Sequence, residues 1–221
     1  MVSTRRILGL FTGIALAAGT GLAAAPSASA SSHNCPPKPP AHSLGTVSLA
    51  SVLTSDGNKF DRNWGDYDIV TEAVLAVLKA KPDSKVKVLT DGKVALTTFA
   101  PTDAAFQRLV KDISGTWVAK EKDVFAAVAG LGIPTVETVL LYHVVPGATI
   151  TAKDAAKANG ARLTTAQGGK ITVMVNGSGI RLGDADRNSP DPRVVAVDIN
   201  KGNKQIAHGI NRVLRPINLP N

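Results

Sequence analysis

Hydrophobic and polar positions change period along this chain, and the changes mark its elements. Ile69, Val70, Ala73, Val74, Val77 and Leu78 recur at helical spacing. Asp68 and Glu72 stand near the start of that run and Lys79 and Lys81 near its end, which suits the helix dipole. The pattern predicts a helix from Asp68 that stops before Pro82. Lys85 to Leu89 reads as a short strand, and Val94 to Ala100 as a second one rich in β-favouring side chains. Pro101 holds Ala100 extended, and Thr102 is a candidate cap ahead of Asp103. Phe106, Leu109, Val110 and Ile113 then form one apolar helical stripe, ended by Ser114-Gly115. A further helix is predicted over Lys120 to Ala129. Another starts from Thr135 as its cap and carries Val136, Val139, Leu140 and His143 on one face. Val144 to Gly147 predicts a turn out of it.

After a short helical stretch over 151 to 158, the period becomes two. Arg162 to Ala166, Lys170 to Val175, Ile180 to Leu182, Val194 to Ile199 and Gln205 to Pro216 read as strands separated by Gly-rich or Asn-Gly turns. Helices in the middle and mostly strands at the end define an α+β class rather than a regular alternation.

The N-terminal stretch stands apart from this patterning. Arg5 and Arg6 precede an apolar run of small residues, and Ala28-Ser29-Ala30 has the form of a processing site. Residues 1 to 30 are expected to be a signal peptide, followed by a Pro-rich flexible linker over 31 to 43 and one domain over 44 to 218. Removing Arg5 and Arg6 lowers the net charge from +8 to +6. That charge suits anionic surfaces such as wall polymers, and with no basic block interleaved by aromatics it does not point to nucleic acid. No second long apolar run follows, so no membrane anchor is expected in the mature form. Cys35 is the only cysteine, so it is read as a free thiol or an intermolecular partner. His33, Cys35 and His42 are soft-metal ligand types, but a Pro-rich tail does not hold them together, so no metal site is expected there.

Complete catalytic sets are missing from the motifs. There is no Gly-x-Ser-x-Gly elbow and no His-Glu-x-x-His. His143 or His208 with Asp103 is the arrangement a hydrolase would need, but His143 on an apolar face is more simply a buried, hydrogen-bonded side chain. The carbonyls of Val144 to Gly147, or Asp103, are its expected partners. Asp184-x-Asp186-x-Asn188 opens like a calcium loop, yet Ser189 and Val195 stand where that loop needs Gly and Glu. Phe60, Arg62, Trp64 and Tyr67 lie in the most aromatic stretch and form a candidate interaction patch for a glycan, peptide or small ligand. No cofactor is expected.

Three stretches together resemble the signatures of fasciclin domains: Leu96-Thr-Thr-Phe-Ala-Pro-Thr-Asp-Ala-Ala-Phe106, Leu140-Leu-Tyr-His-Val-Val-Pro-Gly147 and Ile206-Ala-His-Gly-Ile-Asn-Arg-Val-Leu-Arg-Pro216. They occur in the family's order. The runs Asp66 to Val74 and Asp198 to Asn203 resemble an actinobacterial subgroup. The resemblance implies a β-wedge of short strands packed against several helices. It also implies extracellular adhesion or interaction; with the export segment and no complete catalytic set, the expectation is a secreted, monomeric, non-catalytic module that binds an extracellular protein or a cell-envelope or matrix polymer. Thr102 and Asp103 match the start of the first signature's helix, Tyr142 and His143 its Tyr-His pair, and His208 its closing signature, all as structural residues. The integrin-type signals of animal members are absent near the closing strand.

Overall fold

The computed structural model describes residues 43–55 and 57–218. The expected signal peptide, nearly all of the linker, and His33, Cys35 and His42 lie outside the described residues.

The first helix, α1 (Leu49–Leu53), is capped by Ser48, whose hydroxyl accepts the Ser51 amide. Helix α2 (Asp68–Ala80) buries Ile69, Val70, Ala73, Val74 and Val77, the stripe read from the sequence. The segment expected as a strand, Lys85 to Leu89, instead lies in a 3₁₀ turn, Lys85–Thr90. Its Lys-Val alternation imitates a strand. Val86 and Leu89, three residues apart, are the buried pair, and three residues per turn puts them on one face. Ser84 opens the turn by accepting the Val86 amide. Gln205 holds it from outside, donating to the Val88 and Asp91 carbonyls at 2.8 Å each while accepting the Leu49 amide.

Strand β1 (Leu96–Pro101) starts two residues later than the sequence suggests and includes Pro101. Helix α3 (Asp103–Ser114) follows directly and ends at Gly115 in the left-handed region. Thr102 occupies the cap position, but its side chain makes no capping bond; its amide donates to the Ile210 carbonyl. Helix α4 (Glu121–Ala129) leads into α5 (Ile133–Tyr142). The latter starts earlier than Thr135. Gly132, with φ of 85°, is its cap residue and Pro134 sits in its first turn, where a missing amide costs nothing. The expected turn after His143 is a strand, β2 (Val144–Pro146), because Phe99 and the rest of β1 offer it an antiparallel edge. The short α6 (Ala152–Ala155) has a reciprocal capping box between Thr151 and Asp154.

The rest of the chain is strands: β3 (Arg162–Thr164), β4 (Lys170–Asn176), β5 (Gly179–Gly183), β6 (Val194–Ile199) and β7 (Gln205–Ile210). The closing strand therefore ends at Ile210 rather than Pro216. Strands β2, β1, β7 and β6 form one sheet in that order, with β1 and β7 parallel. A parallel pair needs a crossover, and here helices α3 to α6 and strands β2 to β6 all lie between the two strands. Strands β3, β4 and β5 form a second, antiparallel sheet.

Both central strands, β1 and β7, are buried along their full length. One face, with Leu96, Ala100 and Ala207, packs on the helices; the other, with Phe99 and Ile210, packs on Ile171, Val173 and Leu182 of the smaller sheet. The observed class is α+β. Among the described residues no single helix is long and apolar enough to cross a membrane.

Candidate functional site

The segment after β7 turns back under α5, and His143 fastens it there. His143 caps the C-terminal end of α5 and is 3% exposed. Its Nδ1 lies 2.7 Å from the Val139 carbonyl, and its Nε2 accepts the Leu214 amide at 2.9 Å. A carbonyl can only accept and an amide can only donate, so the ring is the neutral Nδ1-protonated tautomer. Burial lowers its pKa to about 4, against the Val139 bond. The partners are therefore neither Asp103 nor the carbonyls after the helix. The residue before it, Tyr142, is 1% exposed and donates its hydroxyl to the Lys170 carbonyl. Burial raises its pKa first, then Asp184.

Alongside this junction α3, α5 and the closing segment leave a groove of about 490 Å³. Leu109, Val139, Val213 and Leu214 contribute to its lining, and Thr135, Thr138 and Gln167 add polar groups. Ile113, Leu131 and Ile217 also line it and are 51%, 40% and 64% exposed. The sequence stripe placed Ile113 inward with Phe106 and Leu109. It sits in the last turn of α3, beyond the covering helices.

His208 is the other candidate base. It lies in β7, 2% exposed, with Nε2 2.9 Å from the Ile150 carbonyl and Nδ1 accepting the Asp198 amide at 3.3 Å. Its ring stands 6.0 Å from that of Phe99. Asp103 is fully buried and accepts the Ile69 amide of α2 at 3.0 Å through Oδ1. Both imidazoles spend both nitrogens on backbone groups, and neither is hydrogen-bonded to Asp103. The structure thus does not bring the three together as a hydrolase would require.

These three signature stretches form the central strand pair β1–β7, the His143 junction and the start of α3. The model of the fasciclin domain matches residues 70–216. The chain belongs to the fasciclin domain family. Among solved structures it is similar to a FAS1 domain pair from the insect cell adhesion molecule Fasciclin I. That match has a TM-score of 0.53 and 18% identity, and it covers 77% of this chain and 51% of that one. The chain thus spans about half of that protein, and at this identity the likeness is one of fold. No curated protein sequence matches significantly.

In this fasciclin domain the aromatic loop is packed rather than free. Phe60, Trp64 and Tyr67 rest on the helical core, and Phe60 meets Phe125 at 5.3 Å between ring centroids. The Tyr67 hydroxyl lies against Gly209 of β7, where no side chain would fit. Arg62 is the exposed member of the set. The aromatic faces are therefore largely spent on the core.

The calcium-like loop is also committed. Asp186 Oδ1 accepts the Asn188 amide, and Oδ2 accepts Arg215 Nη1 at 2.9 Å. Asp184 accepts the Asp186 and Arg215 amides, and burial raises its pKa to about 6. The Arg215 guanidinium stands where an ion would be needed and reaches Asp112 of α3 as well.

Two features escaped the sequence reading. The groove needs Ile113, Leu131 and Ile217, which are far apart in the chain and share no motif. The second is a carboxylate cluster of Asp66, Asp68 and Asp103. Burial pushes Asp103 up to about 8; the Ile69 bond opposes this, and Asp66 and Glu121 add to it. Burial likewise raises Glu121. The Asp-x-Asp spacing at 66 and 68 was the only local sign of the cluster.

Proposed function

We propose that this fasciclin domain is a secreted, non-catalytic interaction module. Its groove between α3, α5 and the closing segment receives an apolar stretch of an extracellular protein or of a cell-envelope or matrix component. The observation that carries this reading is the groove itself, where Ile113, Leu131 and Ile217 expose apolar surface beside a packed apolar floor. Contiguous exposed apolar surface with a polar rim marks interaction sites. The absence of catalysis is supported by His143 and His208, whose ring nitrogens are engaged by backbone groups. Secretion is supported by the basic, apolar and small-residue pattern of residues 1 to 30. The relative with a solved structure is named a cell adhesion molecule, which agrees with an adhesive role here.

The test is a double variant, Leu131→Asp with Ile217→Asp, assayed for binding to envelope and matrix fractions of the producing cell. Binding should fall at least tenfold while the urea midpoint stays near that of the wild type. Unchanged binding in the folded variant would remove the groove from the reading. Turnover of a peptide, ester or glycoside, abolished by His208→Gln without loss of fold, would replace the module with an enzyme.

A further inference from the structure

In an Asn-Gly pair the backbone nitrogen of the glycine can reach the asparagine side chain, because glycine puts no Cβ in the way. The chain holds this pair twice, at Asn159-Gly160 and at Asn176-Gly177. Both asparagines are exposed. Both accept an amide through Oδ1, Asn159 from Val175 at 2.8 Å and Asn176 from Ser178 at 2.9 Å. Local sequence and exposure therefore do not separate the two. What separates them is the surroundings of the nitrogen that follows.

The Gly160 amide is committed. It donates to the Val173 carbonyl at 2.8 Å, and the Val173 amide donates to the Ala161 carbonyl at 2.8 Å. Val175, two residues further along β4, holds the Asn159 side chain. Side chain and backbone are thus both fastened to the same strand. The Gly160 nitrogen cannot turn towards Cγ of Asn159 without breaking these bonds.

The Gly177 amide is free. Asn176 ends β4, Gly179 starts β5, and the two pair across the hairpin, so Gly177 and Ser178 form its two-residue tip. Among the described residues the Gly177 amide has no acceptor. A Cβ placed on Gly177 would meet nothing within 4 Å, so the tip has room to turn. The bond to the Asn176 side chain comes from Ser178 inside the same tip, so it moves with the tip and draws electron density from the Cγ carbonyl.

We propose that Asn176 is a site of spontaneous deamidation, and that the fold protects Asn159 from the same reaction. The Gly177 nitrogen gives its proton to hydroxide and bonds to Cγ of Asn176. The bond from Cγ to Nδ2 breaks, and Nδ2 leaves as ammonia with a proton from water. Water then opens the cyclic imide at either carbonyl, giving aspartate or isoaspartate. The net change is one water taken up and one ammonia released, with no oxidation. Either product places a carboxylate at the hairpin tip. Isoaspartate also lengthens the main chain by one methylene at the residue that pairs with Gly179. That loosens the end of the hairpin, while Val173 and Leu182, paired deeper in it, stay in the core.

The full chain is held folded at pH 8.5 and 37 °C and sampled over days, beside a portion unfolded in guanidinium chloride. Trypsin releases Asn159 in the peptide Ala158–Arg162 and Asn176 in Ile171–Arg181, so mass spectrometry reads each site alone. Asn176 should convert at least tenfold faster than Asn159 in the folded chain. In the unfolded chain the two rates should come within threefold of each other. Both isoaspartate and aspartate should form. Gly177→Ala, at an exposed position with space for a Cβ, should slow conversion of Asn176 at least tenfold. No conversion at Asn176, comparable rates at the two sites in the folded chain, a rate gap that survives unfolding, or an unchanged rate in Gly177→Ala would each overturn the proposal. So would aspartate as the sole product, since direct hydrolysis would then bypass the Gly177 nitrogen.

Discussion

The Leu214 amide donates to Nε2 of His143 at 2.9 Å, across 71 residues of sequence. The same ring reaches back to Val139 within its own helix. One side chain thus closes the end of α5 and anchors the segment that leaves β7. It also positions Val139 and Leu214, two walls of the groove.

Replacing His143 with Ala removes both bonds and leaves a cavity among buried neighbours. The expected loss is about 2–4 kcal/mol. Gln, which can donate and accept, should recover part of it. Urea unfolding of the three proteins measures both values. Groove binding should weaken only as far as the closing segment loosens, so an Ala variant as stable as wild type that fails to bind would make His143 a contact instead.

The same ring makes stability depend on pH. Burial takes its pKa from the ordinary 6.5 down to about 4 in the folded state. The unfolded chain therefore binds more protons between those values, and stability drops as pH falls from 6.5 towards 4. The full contribution is about 3 kcal/mol, from roughly 1.4 kcal/mol per pKa unit. Protonation would also set an Nε2 hydrogen against the Leu214 amide. The difference between wild type and His143→Gln, measured by unfolding from pH 7.5 to 4, isolates this group from the other titrating side chains. A difference that does not vary with pH would contradict it.

Arg215 carries a comparable burden on the other side of the closing segment. Its guanidinium bonds the buried Asp186 and reaches Asp112. Removing it leaves Asp186 with a buried, uncompensated charge, so Arg215→Ala should cost about 3–5 kcal/mol. Asp186→Asn should cost less, because Arg215 keeps Asp112. Chemical denaturation of both variants distinguishes the two outcomes.

Gly169 faces Tyr142 so closely that a Cβ there would lie 2.6 Å from the ring. Gly169→Ala should therefore displace the ring or the turn and cost about 1–3 kcal/mol. It should also weaken the bond from Tyr142 to Lys170. The unfolding midpoint, with near-ultraviolet circular dichroism for the Tyr142 environment, reads both effects.

Local patterning was enough to place most helices, since a side-chain stripe with charged ends and a Pro or Gly stop needs no distant partner. Helix α2 from Asp68, α3 ending at Gly115 and the alternation of β4 were all legible in this way, as were the three signature stretches. What depended on distant partners was not. Lys85–Thr90 turns because Gln205 satisfies its carbonyls from β7, and Val144–Pro146 pairs because β1 lies beside it. Ile113 belongs to an inward stripe by period but to a groove by position. His143 could be placed on a buried face from its spacing alone, whereas its acceptor and donor were decided by where α5 and the closing segment meet. The cluster of Asp66, Asp68 and Asp103 shows the same limit. Acids at two helix starts are ordinary when read singly, and only the packing of α2 against α3 turns them into one set of oxygens within 4.8 Å.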